Sequence, residues 1–159
     1  MKKLSIFATL VLFLNCNHYS SSGISKRNIY QSYQPAINQH LVNQISIIGF
    51  NGTVYCADTL IDMDTAHFYL WVYCQEYHLD NRKLREGSGR SLPVRLTFEN
   101  DSILRNEYPK DGNSYKEDIQ RIFPTTVVNI INNLTYKNTI FEGLKGKVTN
   151  AAKEDFHRN

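Results

Sequence analysis

The stretch AHFYLWVYCQEYHL, residues 66–79, is apolar on both of its alternating faces. Tyr69, Trp71, Tyr73 and Tyr77 share one face, and Phe68, Leu70, Val72 and Cys74 share the other. Successive side chains of a strand point to opposite sides of its sheet. A strand apolar on both sides is therefore expected at the centre of a sheet covered above and below.

The neighbouring sequence supplies partners for such a strand. Thr53–Ile61 reads as one strand, Ser91–Glu99 as another, and Ile103–Tyr108 as a fourth after a turn at Asn100-Asp101. Pro93 removes a ladder donor and belongs at an edge, a bulge or a strand start. DNRKLREGSG, residues 80–89, reads as a loop. Ahead of the strands, Ile29, Tyr33, Ile37, Leu41 and Ile45 recur every four residues, a helical stripe. Pro35 fits the first turn of a helix, which predicts a main helix over 35–47. Gly49 ends it, and Asn51-Gly52 makes a turn. After the strands, Ser114 with Glu117 forms a capping-box pattern before Ile119, Ile122 and Phe123. Pro124 stops that helix, and Thr125 or Thr126 opens another with Val127, Ile130, Ile131 and Leu134 on its apolar side. Residues 137–159 are more polar, with an end expected to fray. Helix, strand meander, then short helices is an α+β order. A leading helix across a curved antiparallel sheet resembles the cystatin/NTF2-like architecture, a likeness of fold that implies no activity.

The chain has 159 residues, 42% of them hydrophobic, enough for one domain with its own core. Net charge is +3, and Lys2 and Lys3 supply two of those charges, so the chain beyond residue 15 stands near +1. That excludes a nucleic-acid interface, which needs a dense basic face. The tightest basic group, Arg82, Lys83, Arg85 and Arg90, is interleaved with Asp80 and Glu86 and reads as solvated surface.

Residues 1–15 have the form of a secretory signal peptide: Lys2 and Lys3, then the eleven apolar residues LSIFATLVLFL. A membrane span needs roughly 20 apolar residues. Cys16 follows directly. The segment resembles the lipobox of bacterial lipoproteins, whose cysteine is diacylated and becomes the mature N-terminus. Phe13 and Asn15 depart from the common pattern and match the looser lipoboxes of some bacterial groups. The resemblance implies lipidation at Cys16 and attachment to the cell membrane or outer membrane, with Asn17 leaning toward the outer one. Serine-rich residues 16–28 then form a lipid-anchored tether, and 29–159 the single globular domain. GSGRSLPV and PKDGNSYKEDIQRIFP also resemble segments of small bacterial exported proteins.

If Cys16 carries lipid, Cys56 and Cys74 remain as a pair in an oxidising compartment. A hairpin turning near 63–67 sets them opposite each other on one face, close enough for a disulfide. Neither has metal-ligand spacing to another cysteine or histidine, so no metal is expected. His18, His40, His67, His78 and His157 are scattered, and no nucleophile motif accompanies them. Asp58, Asp62 and Asp64 lack the glycine and distal glutamate of a calcium loop and fit a hairpin turn. GSG at 87–89 lacks the following Gly-Lys-Ser/Thr of a phosphate loop, and no cofactor is expected. Asn51-Gly-Thr and Asn133-Leu-Thr match glycosylation acceptors, relevant only to a eukaryotic secretory route. The aromatic row Tyr69, Trp71, Tyr73 and Tyr77 is a candidate binding face for sugars or peptides, or else core beneath the leading helix. The expectation is a non-catalytic lipoprotein of the cell envelope, bound to the membrane by its lipid and binding a protein or glycan partner. The alternatives are a secreted or envelope hydrolase, whose side chains would converge in a pocket, and an inhibitor-like module.

Overall fold

The computed structural model describes residues 25–158, with the side chains of 134–136 excepted. The leader, Cys16, Asn17, His18 and most of the tether lie outside the described residues. Helix α1 (Lys26–Gln44) leads into strands β1 (Thr53–Met63), β2 (His67–Asp80), β3 (Lys83–Glu99) and β4 (Ser102–Glu107). Helices α2 (Tyr115–Ile122), α3 (Thr125–Ile131) and α4 (Leu134–Arg158) follow. The strands form one antiparallel sheet in the order β1-β2-β3-β4, an α+β architecture.

The two-faced strand is central, as its pattern requires. On one side of β2, Phe68, Leu70, Val72 and Cys74 pack with Leu92, Val94 and Leu96 beneath Ile37, Leu41 and Ile45 of α1. On the other, Tyr69, Trp71, Tyr73 and Tyr77 pack beneath Ile119, Ile122 and Phe123 of the α2 region, Val127 of α3, and Leu144 and Val148 of α4. The row proposed as a binding face is therefore core, and its cover is the C-terminal helices rather than α1. Each ring keeps a polar contact. The Tyr69 hydroxyl donates to Asp64 at 2.7 Å, Trp71 Nε1 to Ser91 Oγ at 3.0 Å, and the Tyr73 hydroxyl to Gln75 Oε1 at 3.0 Å, while the Tyr77 hydroxyl pairs with Thr149 Oγ1 at 2.9 Å. A tyrosine can be interior when its polar tip is answered, and here it is.

Four local readings need correction. Helix α1 starts at Lys26, so Pro35 lies inside it rather than in its first turn. Proline there leaves the carbonyl of Gln31 without its helical donor, and Gln31 lies on the exposed side of the helix. Residues 83–89 are the first half of β3, not a loop, because Asn81 and Arg82 adopt φ values of 49° and 61° and close a two-residue hairpin. The Ser114–Glu117 capping box does not form; Ser114 makes no side-chain capping bond, and Asp118 accepts the Lys110 N–H. The polar tail is the 25-residue helix α4, which contributes Leu144, Val148 and Ala152 to the core.

Cys56 and Cys74 are register partners and are joined by a disulfide. Pro93 sits opposite Trp71 on a part of β3 that β4, which pairs from Arg95 onward, leaves with a free edge. No described helix is long and apolar enough to cross a membrane.

Candidate functional site

The segment between α1 and β1 is the most anomalous surface. Ile47, Ile48 and Phe50 are 41%, 61% and 61% exposed. Scattered exposed hydrophobics are ordinary, but three within four residues form a patch. Leu79 at 58%, on the adjoining end of β2, lies beside it. The Phe50 ring stacks on the His78 imidazole, centroids 5.1 Å apart and planes 11° from parallel.

A buried charge holds this patch in shape. Glu76 lies in β2 with no exposed surface. Its Oε1 accepts the N–H groups of Phe50 at 2.9 Å and Gly52 at 2.7 Å. Its Oε2 accepts those of Gly49 at 2.8 Å and Ser88 at 3.2 Å. Four main-chain donors on one carboxylate make a rigid clamp, since charge-assisted bonds are the stronger kind. Burial pushes the Glu76 carboxyl up, but these donors outweigh it and hold the group down at about 2. The β2–β3 bulge between Gln75 and Tyr77 sets two β3 residues, Gly87 and Ser88, against Glu76.

The glycines follow from the clamp. A Cβ on Gly52 would stand 2.3 Å from the Tyr77 carbonyl oxygen, and one on Gly87 would stand 2.8 Å from Glu76 Oε2. The loop can approach the carboxylate only where side chains are missing. Asn51, at φ 55°, takes the left-handed turn just before Gly52. Beyond Phe50 a cleft of about 560 Å³ is walled by Tyr55, Tyr77, Leu79 and Phe156, with Tyr55 donating to Asp155 at 2.8 Å.

The other sequence candidates fall elsewhere. Cys56 and Cys74 are spent on the disulfide, in the core under α1. Asp62 pairs with Lys26 at 2.6 Å. Asp64 closes the β1–β2 turn, accepting the Ala66 and His67 N–H groups at 2.9 Å each and the His67 Nδ1 at 2.9 Å. Burial acts upward on it, yet these donors and Tyr69 bring it to about 2. Asp58 is instead buried, with Tyr30 donating to it at 2.5 Å. His40 meets Asn106 at 2.9 Å on the α1–β4 seam, and His157 is exposed near the end of α4. The histidines therefore do not converge. Arg82, Lys83 and Arg85 are solvated at the β2–β3 hairpin. Among the described residues, no group of three His, Cys, Asp or Glu is placed to hold a metal ion.

Glu76 was the residue that sequence reasoning passed over. Its signal was a lone acid inside an apolar strand, with Gly49, Gly52 and Gly87 in two distant turns. No known protein family matches this chain, and neither a curated protein nor a solved structure matches it.

Proposed function

We propose that the protein is a non-catalytic lipoprotein of the bacterial cell envelope, anchored through Cys16, that binds a protein partner through the Ile47–Phe50 loop. The carrying observation is the clamp: a buried carboxylate fixes a loop whose side chains are three exposed hydrophobics. A preorganised loop loses less entropy on association than a mobile one, and exposed aromatic and aliphatic anchors suit the centre of an interface. The chain's own geometry supports the division of labour. Helix α1 starts ten residues after Cys16 in the sequence, and its 19 residues span about 28 Å before the loop begins. In the sequence, therefore, the anchor residue precedes α1 and the loop follows it. The disulfide accords with export to an oxidising compartment.

Two measurements test the halves separately. Metabolic labelling with a fatty-acid probe is expected to mark the wild type and not Cys16→Ala; equal labelling removes the anchor. A photo-crosslinking residue at Ile48 is expected to yield one adduct of defined mass in intact envelopes, and the same residue at exposed Leu104 none. Identical adduct patterns at the two sites reject the loop as the contact surface.

A further inference from the structure

The cleft beyond Phe50 is walled largely by rings. Phe50 comes from the loop, Tyr55 from β1, Tyr77 from β2 and Phe156 from α4. The Tyr55 and Tyr77 rings have centroids 6.1 Å apart and planes 71° from parallel, so together they form a corner. Phe50 adds a further wall, backed by the His78 imidazole on which it stacks.

Among the described residues, one charged group lines this cleft, the Asp155 carboxylate of α4. The Tyr55 hydroxyl donates to its Oδ2 at 2.8 Å, which fixes the side chain without neutralising it. No described lysine or arginine lines the cleft. Arg158, three residues further along α4, donates from Nε to the Glu154 carbonyl at 3.3 Å.

Rings and carboxylate favour the same sign of ligand charge. The face of an aromatic ring is partly negative, so a cation set over it is attracted. An acidic group is repelled by Asp155, and a purely apolar one leaves that charge without a counter-ion. Between the two basic side chains, the walls favour arginine. An ammonium group is a compact, strongly hydrated charge. A guanidinium is planar and weakly hydrated, and it both stacks on rings and forks onto a carboxylate.

We propose that this cleft receives an arginine side chain of the protein partner, with its guanidinium stacked among the rings and donating to Asp155. The proposal rests on the Ile47–Phe50 reading, because Phe50 belongs to both the loop and the cleft. Recognition is then divided between neighbours. The exposed hydrophobics supply apolar contact, and the cleft beside them selects a positive charge. Arginine is among the residues that most often anchor interfaces.

The test is an amide-resolved NMR titration of the full chain in maltoside detergent with N-acetylarginine methylamide. The controls are the citrulline analogue, a neutral isostere, and the lysine analogue. The arginine compound is expected to bind in the millimolar range and shift the amides of Gly52, Tyr55 and Phe156, with both controls at least about fivefold weaker. Asp155→Asn, which can still accept from Tyr55, is expected to weaken arginine binding about tenfold and erase the preference over citrulline. Phe156→Leu, which keeps apolar bulk but removes a ring, is expected to weaken it about threefold. Absence of cleft shifts overturns the proposal. So does citrulline or lysine binding as tight as arginine binding, or arginine binding that neither substitution changes. Crosslinking from Ile48 separates this failure from that of the loop. Adducts that persist when the arginine compound does not bind remove the guanidinium assignment alone. Arginine binding without specific adducts keeps the cleft as an arginine site and rejects the loop as the contact surface.

Discussion

Glu76 and Asp58 are both buried acids of the same sheet, on adjacent strands, and the fold treats them in opposite ways. Glu76 is surrounded by four main-chain donors that no side-chain rearrangement can withdraw. Asp58 has one phenol, one long amide contact and an oxygen with no partner among the described residues. Burial raises both carboxyls toward the neutral form. Around Glu76 the donors reverse that effect and leave the group at about 2. Around Asp58 burial prevails over Tyr30, Gln34 and the more distant charge of Lys147, and the group stays raised. The difference separates two uses of a buried charge. One is fully satisfied and builds structure; the other keeps an oxygen without a partner among the described residues and stays closer to the neutral form.

The comparison breaks most visibly at Glu76. Glu76→Gln keeps the side chain's size but turns one acceptor into a donor that faces the N–H groups of the loop. The melting midpoint is expected to fall by roughly 15 °C at neutral pH. Adducts from a crosslinker at Ile48 should vanish with the loop's order. The pH dependence is diagnostic. The folded Glu76 carboxyl lies below its ordinary 4.5, so its stabilisation is complete above that value and is lost as pH falls toward about 2. The gap between wild type and variant, followed by thermal melts, should therefore narrow through that window. A gap that stays constant means the carboxylate is not the clamp.

Next in size is the disulfide, which joins β1 to β2 between the two acids. Its partners are 18 residues apart. Replacing both cysteines by serine should cost about 3 kcal/mol, or roughly 10 °C in midpoint, by freeing the unfolded chain. Glu76 and Asp58 lie on either side of the bridge, so the loss should add to that of either acid's variant. A double-mutant cycle showing strong coupling to Glu76 alone would mean that the bridge serves the clamp rather than the hairpin as a whole.

These elements were not equally legible in the sequence. The central strand, the hairpin at 64–66 and the Cys56–Cys74 pairing follow from period-2 patterning, which depends only on neighbours in the chain and a twofold repeat. The cover of the aromatic face was misassigned because a pattern shows that a face is buried without showing what buries it. α4, polar over most of its surface, gave no strong stripe. The GSG stretch reads as a loop because its glycines have no side chains to alternate; they are strand residues that make room for Glu76 and Gln75. The clamp itself joins residues 24 to 27 apart on one side and 12 apart on the other. Nothing in local periodicity registers an acceptor whose donors are main-chain N–H groups.

At Asp58 the expected effect is smaller and opposite in sign. The folded carboxyl lies above its ordinary 3.8, so its contribution is most favourable below that value and is lost as pH rises through the folded value. Asp58→Asn should leave the Tyr30 hydrogen bond in place and gain on the wild type by roughly 1 kcal/mol, about 3–4 °C, between acid and neutral pH. Melts of the two proteins across that range should diverge as pH rises, where those of the Glu76 pair also diverge but with the wild type ahead. If the Asp58 variant instead falls behind as pH rises, the carboxylate is stabilised by a partner, and the contrast with Glu76 fails.

The smallest expected effect on stability separates structure from function at the clamped loop. Phe50 is 61% exposed, and its ring rests on His78. Phe50→Ala removes surface that water already reaches while leaving the Phe50 N–H on Glu76, so the midpoint should move by no more than about 2 °C. The backbone of the loop should be unchanged by amide chemical shifts. Partner crosslinking from Ile48 should nevertheless drop at least about tenfold, because truncating a central aromatic anchor removes contact area from the interface without disturbing the fold. Loss of stability comparable to Glu76→Gln would show that the ring is part of the clamp. Full crosslinking with an unchanged fold would show that the exposed ring is not what the partner grips.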